Sequence, residues 1–121
     1  IEAFTKSIQL DPDKVGPYKG RGRVYIAFAE YPQALEEFTK AIELDPDSSY
    51  AYNNRGIAYS HLGVYGSYSN ALQDYDKAIQ LDPDNGNAYL NRCNIYRRHL
   101  YDEAKWKSDR AKAQSLGVGG C

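Results

Sequence analysis

The chain has 121 residues, with 15 Lys and Arg against 16 Asp and Glu, 12 tyrosines, two cysteines and no methionine. Its net charge of −1 hides a split: residues 1–85 carry 8 basic and 13 acidic side chains, residues 86–121 carry 7 and 3, and the acidic first part fits nucleic acid poorly. No run of 18 apolar residues is present to span a bilayer, no signal or transit segment is visible, and two distant cysteines do not make a disulfide framework, so no structural disulfide is expected and an intracellular, cytoplasmic setting is favoured over secretion.

The first predicted helix, residues 2–10, presents Phe4, Ser7 and Ile8 and stops at Asp11-Pro12, because the residue before a proline is driven out of helical conformation. The second, 15–29, has Pro17 in its first turn and carries Tyr18, Arg21, Gly22 and Tyr25 at three- and four-residue steps. The third, 32–44, opens on Pro32, shows Ala34, Leu35, Phe38, Ala41 and Ile42, and ends at Asp45-Pro46. Asp47 or Ser48 offers the N-cap of a fourth helix, 49–62, where Tyr52, Arg55, Gly56 and Tyr59 repeat the second. Between Tyr65 and Ala71 the chain holds three residues more than between Tyr31 and Ala34, with Gly66-Ser67-Tyr68 as the natural insertion. The fifth helix, 69–81, repeats the third as Ala71, Tyr75 and Ala78 and ends at Asp82-Pro83, and the sixth, 86–99, follows the Asn85 cap with Tyr89, Arg92, Cys93 and Tyr96. The seventh, 102–116, is aligned through Ala104 and Ala111, which leaves Ser108 where the third and fifth have an aromatic residue. Gly22 and Gly56 are about 1 kcal/mol worse than Ala in a helix, so a close neighbouring helix is expected there.

Leu-Asp-Pro-Asp recurs after 34 residues and again after 37, and a unit so short cannot bury its apolar face except against its neighbours. The recurring residues resemble the tetratricopeptide repeat (TPR) family, which implies an all-α fold, an α-α superhelix (solenoid) of about seven helices. In that frame residues 1–14 are the second helix of a truncated repeat and 15–48 a repeat. Residues 49–85 are a repeat with the insertion, 86–117 a degenerate C-terminal repeat and 118–121 a tail. The chain opens in mid-repeat without Met and is read as a piece of a longer protein, with its lost Asp-Pro turn marking the end of the array.

Catalytic chemistry is not expected. His61 and His99 have no Cys or His at ligand spacing, no nucleophile-base arrangement can be assembled, and no metal or cofactor is implied. Gly20-Arg21-Gly22 lacks the preceding strand of a phosphate loop. Glu36, Glu37, Asp74 and Asp76 read as solubilising charges on second helices. Arg21, Arg55 and Arg92 recur in one slot and are expected to be structural, each paired with an acid of the preceding second helix.

The resemblance implies that first helices of successive repeats line a concave groove that receives a peptide. Alignment places Gly16, Lys19, Gly20 and Arg23 there, then Tyr50, Asn53, Asn54, Ile57 and His61, then Asn87, Leu90, Asn91, Asn94 and Arg98. The peptide-binding set is expected to be Lys19, Arg23, Tyr50, Asn53, Asn54, Asn87, Asn91, Asn94 and Arg98, a polar, basic, asparagine-rich stripe without a carboxylate. Ten tyrosines occupy recurring aromatic slots; Tyr50 is left over beside the groove and Tyr68 in the insertion. Within the family, chaperone-tail carboxylate clamps are matched at Lys19 and Asn54 but not at Arg23, Asn87 or Asn91. The asparagine ladder of the O-GlcNAc transferase superhelix is matched at Asn54 and Asn91 and broken at Gly20. The expected function is a non-enzymatic interaction module, adaptor or scaffold, for a protein or peptide bearing acidic residues or a free C-terminus. The alternatives are self-association through the first helix, whose Phe4 and Ile8 would lie partly exposed, and RNA reading by a related helical repeat.

Overall fold

A computed structural model describes residues 1–63 and 67–121. Among them are seven helices and no strand: α1 (Glu2–Leu10), α2 (Val15–Ala27), α3 (Tyr31–Leu44), α4 (Ser49–Leu62), α5 (Ser67–Leu81), α6 (Gly86–Arg98) and α7 (Glu103–Ser115). Tyr65 and Gly66 of the sequence reading lie outside the described residues. Each helix packs on its chain neighbours, and α2, α4 and α6 also touch in succession, whereas α3, α5 and α7 do not touch one another. The first helices therefore form the tighter, inner layer of an α-α solenoid, and its concave face is theirs.

Local chemistry sets the helix ends. Asp11, Asp45 and Asp82 each accept the N–H of the residue two further on, at 3.0–3.3 Å, so every Asp-Pro turn is closed by the same Asx bond. Ser48, rather than Asp47, caps α4 by accepting from Ala51 N–H at 3.1 Å, and Asn85 caps α6 by accepting from Ala88 N–H at 3.3 Å. Helix α5 begins two residues before the expected 69, so Ser67 and Tyr68 form its first turn.

Glycine and aromatic rings set the spacing within a unit. A Cβ on Gly22 would stand 2.7 Å from the Phe38 ring, and one on Gly56 would stand 2.6 Å from the Tyr75 ring. Phe38 and Tyr75 are fully buried as a result, amid Ala34, Ala41, Ala71 and Ala78.

Beside each ring runs an ion pair. Arg21 donates to Glu37 at 2.8 Å, Arg55 grips both carboxylate oxygens of Asp74 at 2.9 Å, and Arg92 grips Asp109 at 2.7 and 2.9 Å. The acid comes from the second helix of the same unit, not the preceding one as expected; Arg92 alone also reaches back to an acid, Asp76, at 2.9 Å. Glu37, Asp74 and Asp76 are thus structural partners and not mere solubilising charges, with Glu37 and Asp74 buried. Burial pushes the Asp74 carboxyl up and the Arg55 bonds oppose that shift, while Arg92 is held charged chiefly by its bonds to Asp109.

The last unit departs from the sequence alignment. Since Arg92 pairs with Asp109, the residues in the slots of Ala34, Phe38 and Ala41 are Trp106, Arg110 and Ala113, two positions beyond the expected Ala104, Ser108 and Ala111. Ala113 is fully buried, whereas Ala104, Ser108 and Ala111 are exposed. Among the described residues, the two positive-φ residues outside glycine, Ala29 (φ 58°) and Tyr101 (φ 53°), each fall five residues before their slot, at Ala34 and Trp106, in keeping with this register. Tyr101 is thereby not the counterpart of Tyr31. With Arg110 in the aromatic slot the core would be short of volume, and a cystine supplies it. Cys93, in the position of Gly22 and Gly56, is disulfide-bonded to Cys121 with Cα atoms 5.9 Å apart, contrary to the sequence expectation. Cys93 consequently ranks with Phe38 and Tyr75 among the largest fully buried side chains. The tail that brings Cys121 back also lays Val118 against Gly86.

Three outcomes follow for stability, each measured by urea denaturation. Gly56→Ala should destabilise by about 1–3 kcal/mol despite the better helix propensity of Ala, because the new methyl overpacks Tyr75; an unchanged or raised midpoint would contradict the contact. Arg55→Ala should cost about 3–5 kcal/mol by orphaning Asp74, and Arg55→Met with Asp74→Leu should recover most of it. Cys121→Ser, which opens a link across 28 residues, should lose about 3–4 kcal/mol on loop entropy, and reductant should lower the parent to match the variant.

A groove lined by the first helices

Helical spacing places Tyr50, Asn53, Asn54, Ile57 and His61 along the inner face of α4, with Asn87, Asn91, Asn94 and Arg98 along that of α6. They enclose two adjoining cavities that share Ile57 and Asn91.

The larger cavity, about 400 Å³, is bounded by Arg23 of α2, by Tyr50, Asn53 and Asn54 of α4, and by Asn87 and Asn91 of α6. Asn54 donates to the Tyr50 carbonyl at 2.9 Å, and Asn91 donates to the Asn53 side-chain oxygen at 3.0 Å. An amide offers two donors and two lone pairs, so Asn54 and Asn91 are oriented by one bond each and keep an N–H and their oxygens for a ligand. Tyr50 is 43% exposed; its ring meets Phe38 edge-on at 6.3 Å, and the Lys19 ammonium stands 6.0 Å from its centroid. Lys19 therefore sits beside Tyr50 at the rim and outside both cavity linings. Gly20 is not a groove position, because its Cα faces the Phe4 ring of α1 with no room for a side chain.

Sequence reasoning missed three residues of this cavity. Ser49 donates to the Ala78 carbonyl at 2.7 Å and accepts from Asn85 at 2.8 Å, so both are largely occupied in joining α4 to the α5–α6 turn. Asp82 matters more, since it adds an acid to the lining of a groove whose first-helix stripe carries none, although one of its carboxylate oxygens also closes the Asp-Pro turn. It escaped notice because it comes from the end of α5; its recurrence with Asp11 and Asp45 at the Asp-Pro turns was the available signal.

The smaller cavity, about 270 Å³, lies toward the C-terminal ends of α4 and α6. Arg98, Asn94 and Asn91 of the expected set reach it, joined by Ser60, His61 and His99, over Ile57, Ile95 and Tyr75. Ser60 donates to the Ile57 carbonyl at 2.9 Å, and burial pushes the Tyr75 hydroxyl well up from its ordinary range. His61 Nδ1 lies 3.0 Å from the same carbonyl, which can only accept, so that nitrogen carries a proton. His61 stacks on Tyr31 at 4.5 Å and His99 on Tyr68 at 4.1 Å, pairings that sequence spacing did not suggest. Among the described residues no cluster of three or more His, Cys, Asp or Glu side chains is placed to hold a metal, and no helix is long and apolar enough to cross a membrane.

A family model described as TPR repeat matches residues 29–63 and 65–99. Among solved structures, the second TPR of Spaghetti bound to the HSP90 peptide SRMEEVD is 27% identical, with a TM-score of 0.76 over 96% of this chain and 99% of that one. The Arabidopsis OM64 TPR domain is 26% identical, with a TM-score of 0.78 over 84% and 81%. MamA is alike in fold, with a TM-score of 0.84 at 22% identity over 96% of this chain and 66% of that one. No curated protein matches significantly.

Proposed function

The chain belongs to the tetratricopeptide repeat family, a family of protein-interaction modules, and on that premise we propose that its concave groove binds an extended peptide segment of a partner protein without catalysing a reaction. The observation that carries this is the pair Asn54 and Asn91, each held by one intrachain bond and each left with free amide capacity toward a cavity of about 400 Å³. Such amides satisfy a peptide group from both sides. A few bonds of about 0.5–1.5 kcal/mol each, with contact on Tyr50, suit micromolar affinity, about −8 kcal/mol.

The peptide-bound Spaghetti domain lends a chaperone-tail reading some weight. Within this groove, however, only Lys19 and Asn54 stand at clamp positions, and Asp82 occupies the cavity where Asn87 and Asn91 would have to hold a terminal carboxylate. Like charges so placed repel, and an internal segment is the better ligand. Self-association is the second reading, favoured by α1, which buries no residue and leaves Ile1 and Leu10 exposed.

A peptide-array screen followed by fluorescence anisotropy tests the first reading. Selected peptides should lose about two- to twelvefold in affinity with Asn54→Ala or Asn91→Ala, the span of one hydrogen bond, and nothing with Glu36→Gln on the outer layer. A screen that selects nothing, with light scattering showing concentration-dependent mass, would replace the groove reading by self-association.

A further inference from the structure

We propose that the smaller cavity is a subsite for an anionic side chain, a carboxylate or a phosphate, carried by the segment in the groove; this rests on the groove reading and adds to it a position, a charge and the residues that supply it.

The lining has one sign. Arg98 brings a guanidinium, His61 and His99 bring imidazoles and Asn94 an amide, with no acid among the described lining residues. Arg21, Arg55 and Arg92 are each closed by a carboxylate, whereas Arg98 has no ion pair among the described residues. Its charge is uncommitted and faces a concave site. The floor is Ile57 and Ile95, the latter 2% exposed, while Arg98, His61 and His99 are exposed around it, so an anion would meet the cation at a solvent-accessible rim over an apolar floor.

The imidazoles are set in advance. Stacking on Tyr31 and Tyr68 sets the ring planes of His61 and His99 at the edge of the cavity, and the donors to an anion are Arg98 and Asn94. Tyr68 belongs to the stretch by which the second unit exceeds the first, so the insertion serves to orient His99. The carbonyl ends of α4 and α6 oppose an anion weakly. A charge-assisted bond from Arg98 is the stronger effect, and the Asn94 amide adds to it, so attraction prevails.

Asp82, in the adjoining cavity, gives the groove a direction. A segment crossing both cavities is favoured when its anion lies at the Arg98 end and its donor or basic group lies near Asp82.

The test uses a groove-selected peptide in three forms, with glutamate, phosphoserine or glutamine at the residue nearest Arg98, against the parent chain, Arg98→Gln and Asn54→Ala. The anionic forms should bind the parent about tenfold more tightly than the glutamine form, and Arg98→Gln should bring that ratio down to about one. Whichever of glutamate and phosphoserine loses more on Arg98→Gln is the subsite's ligand. The chain's only two histidines give a second readout: imidazole NMR signals of His61 and His99 should move with the anionic peptides and stay with the neutral one. Equal binding of all three forms, or an anion preference that survives Arg98→Gln, overturns the subsite while the Asn54→Ala loss keeps the groove. A parent that binds no peptide overturns both.

Discussion

Phe38 against Gly22 and Tyr75 against Gly56 are the contacts from which the rest of the geometry descends. A ring set where a Cβ would stand within 2.7 Å brings the two helices of a unit close enough for Arg21 and Arg55 to reach the acid beside the ring. That approach fixes which faces of α2 and α4 remain inward, and hence which side chains line the groove. Where Gly is replaced by Cys93, the ring is replaced by Arg110, and the space is filled by Cys121 from the tail.

Electrostatics separate the arginines inside the units from the cations of the groove. Arg21, Arg55 and Arg92 are spent inside the units, where removing one partner of a buried pair costs far more than the pair itself contributes. Arg23 and Arg98 lie on the inner face, and the Lys19 ammonium lies beside Tyr50 at the rim. The groove's positive character is therefore carried by a few side chains, and Asp82 counters it locally, so its charge is patterned along its length and not uniformly basic.

Helix positions were legible because proline, glycine and the aromatic period act locally; the ends of α1 and α4 fall where the spacing places them. The last unit was not, because its alignment rested on alanines, which are common, while its true register is set by Arg92 reaching Asp109 across a turn one residue longer. The disulfide escaped for a related reason: 28 residues separate Cys93 from Cys121, and only the fold shows the tail returning. Groove residues on first helices could be aligned, whereas Asp82, Ser60 and the Tyr–His stacks depend on how neighbouring elements meet. Gly20 shows the opposite error, a position assigned to the groove by periodicity and taken by the Phe4 ring.

The graded burial along the solenoid has a kinetic consequence. Helix α1 buries no residue, whereas the α6–α7 end is cross-linked, and contacts elsewhere join near neighbours in sequence. Such a stack opens by fraying, one helix pair at a time, from its loosest end. Within residues 1–121, amide exchange should then be slowest around Tyr75 and Cys93, where full burial and the cystine coincide. The groove walls formed by α4 and α6 should persist through openings that release α2, so under the groove proposal a segment would shed its contact with Arg23 and re-form it without leaving the protein.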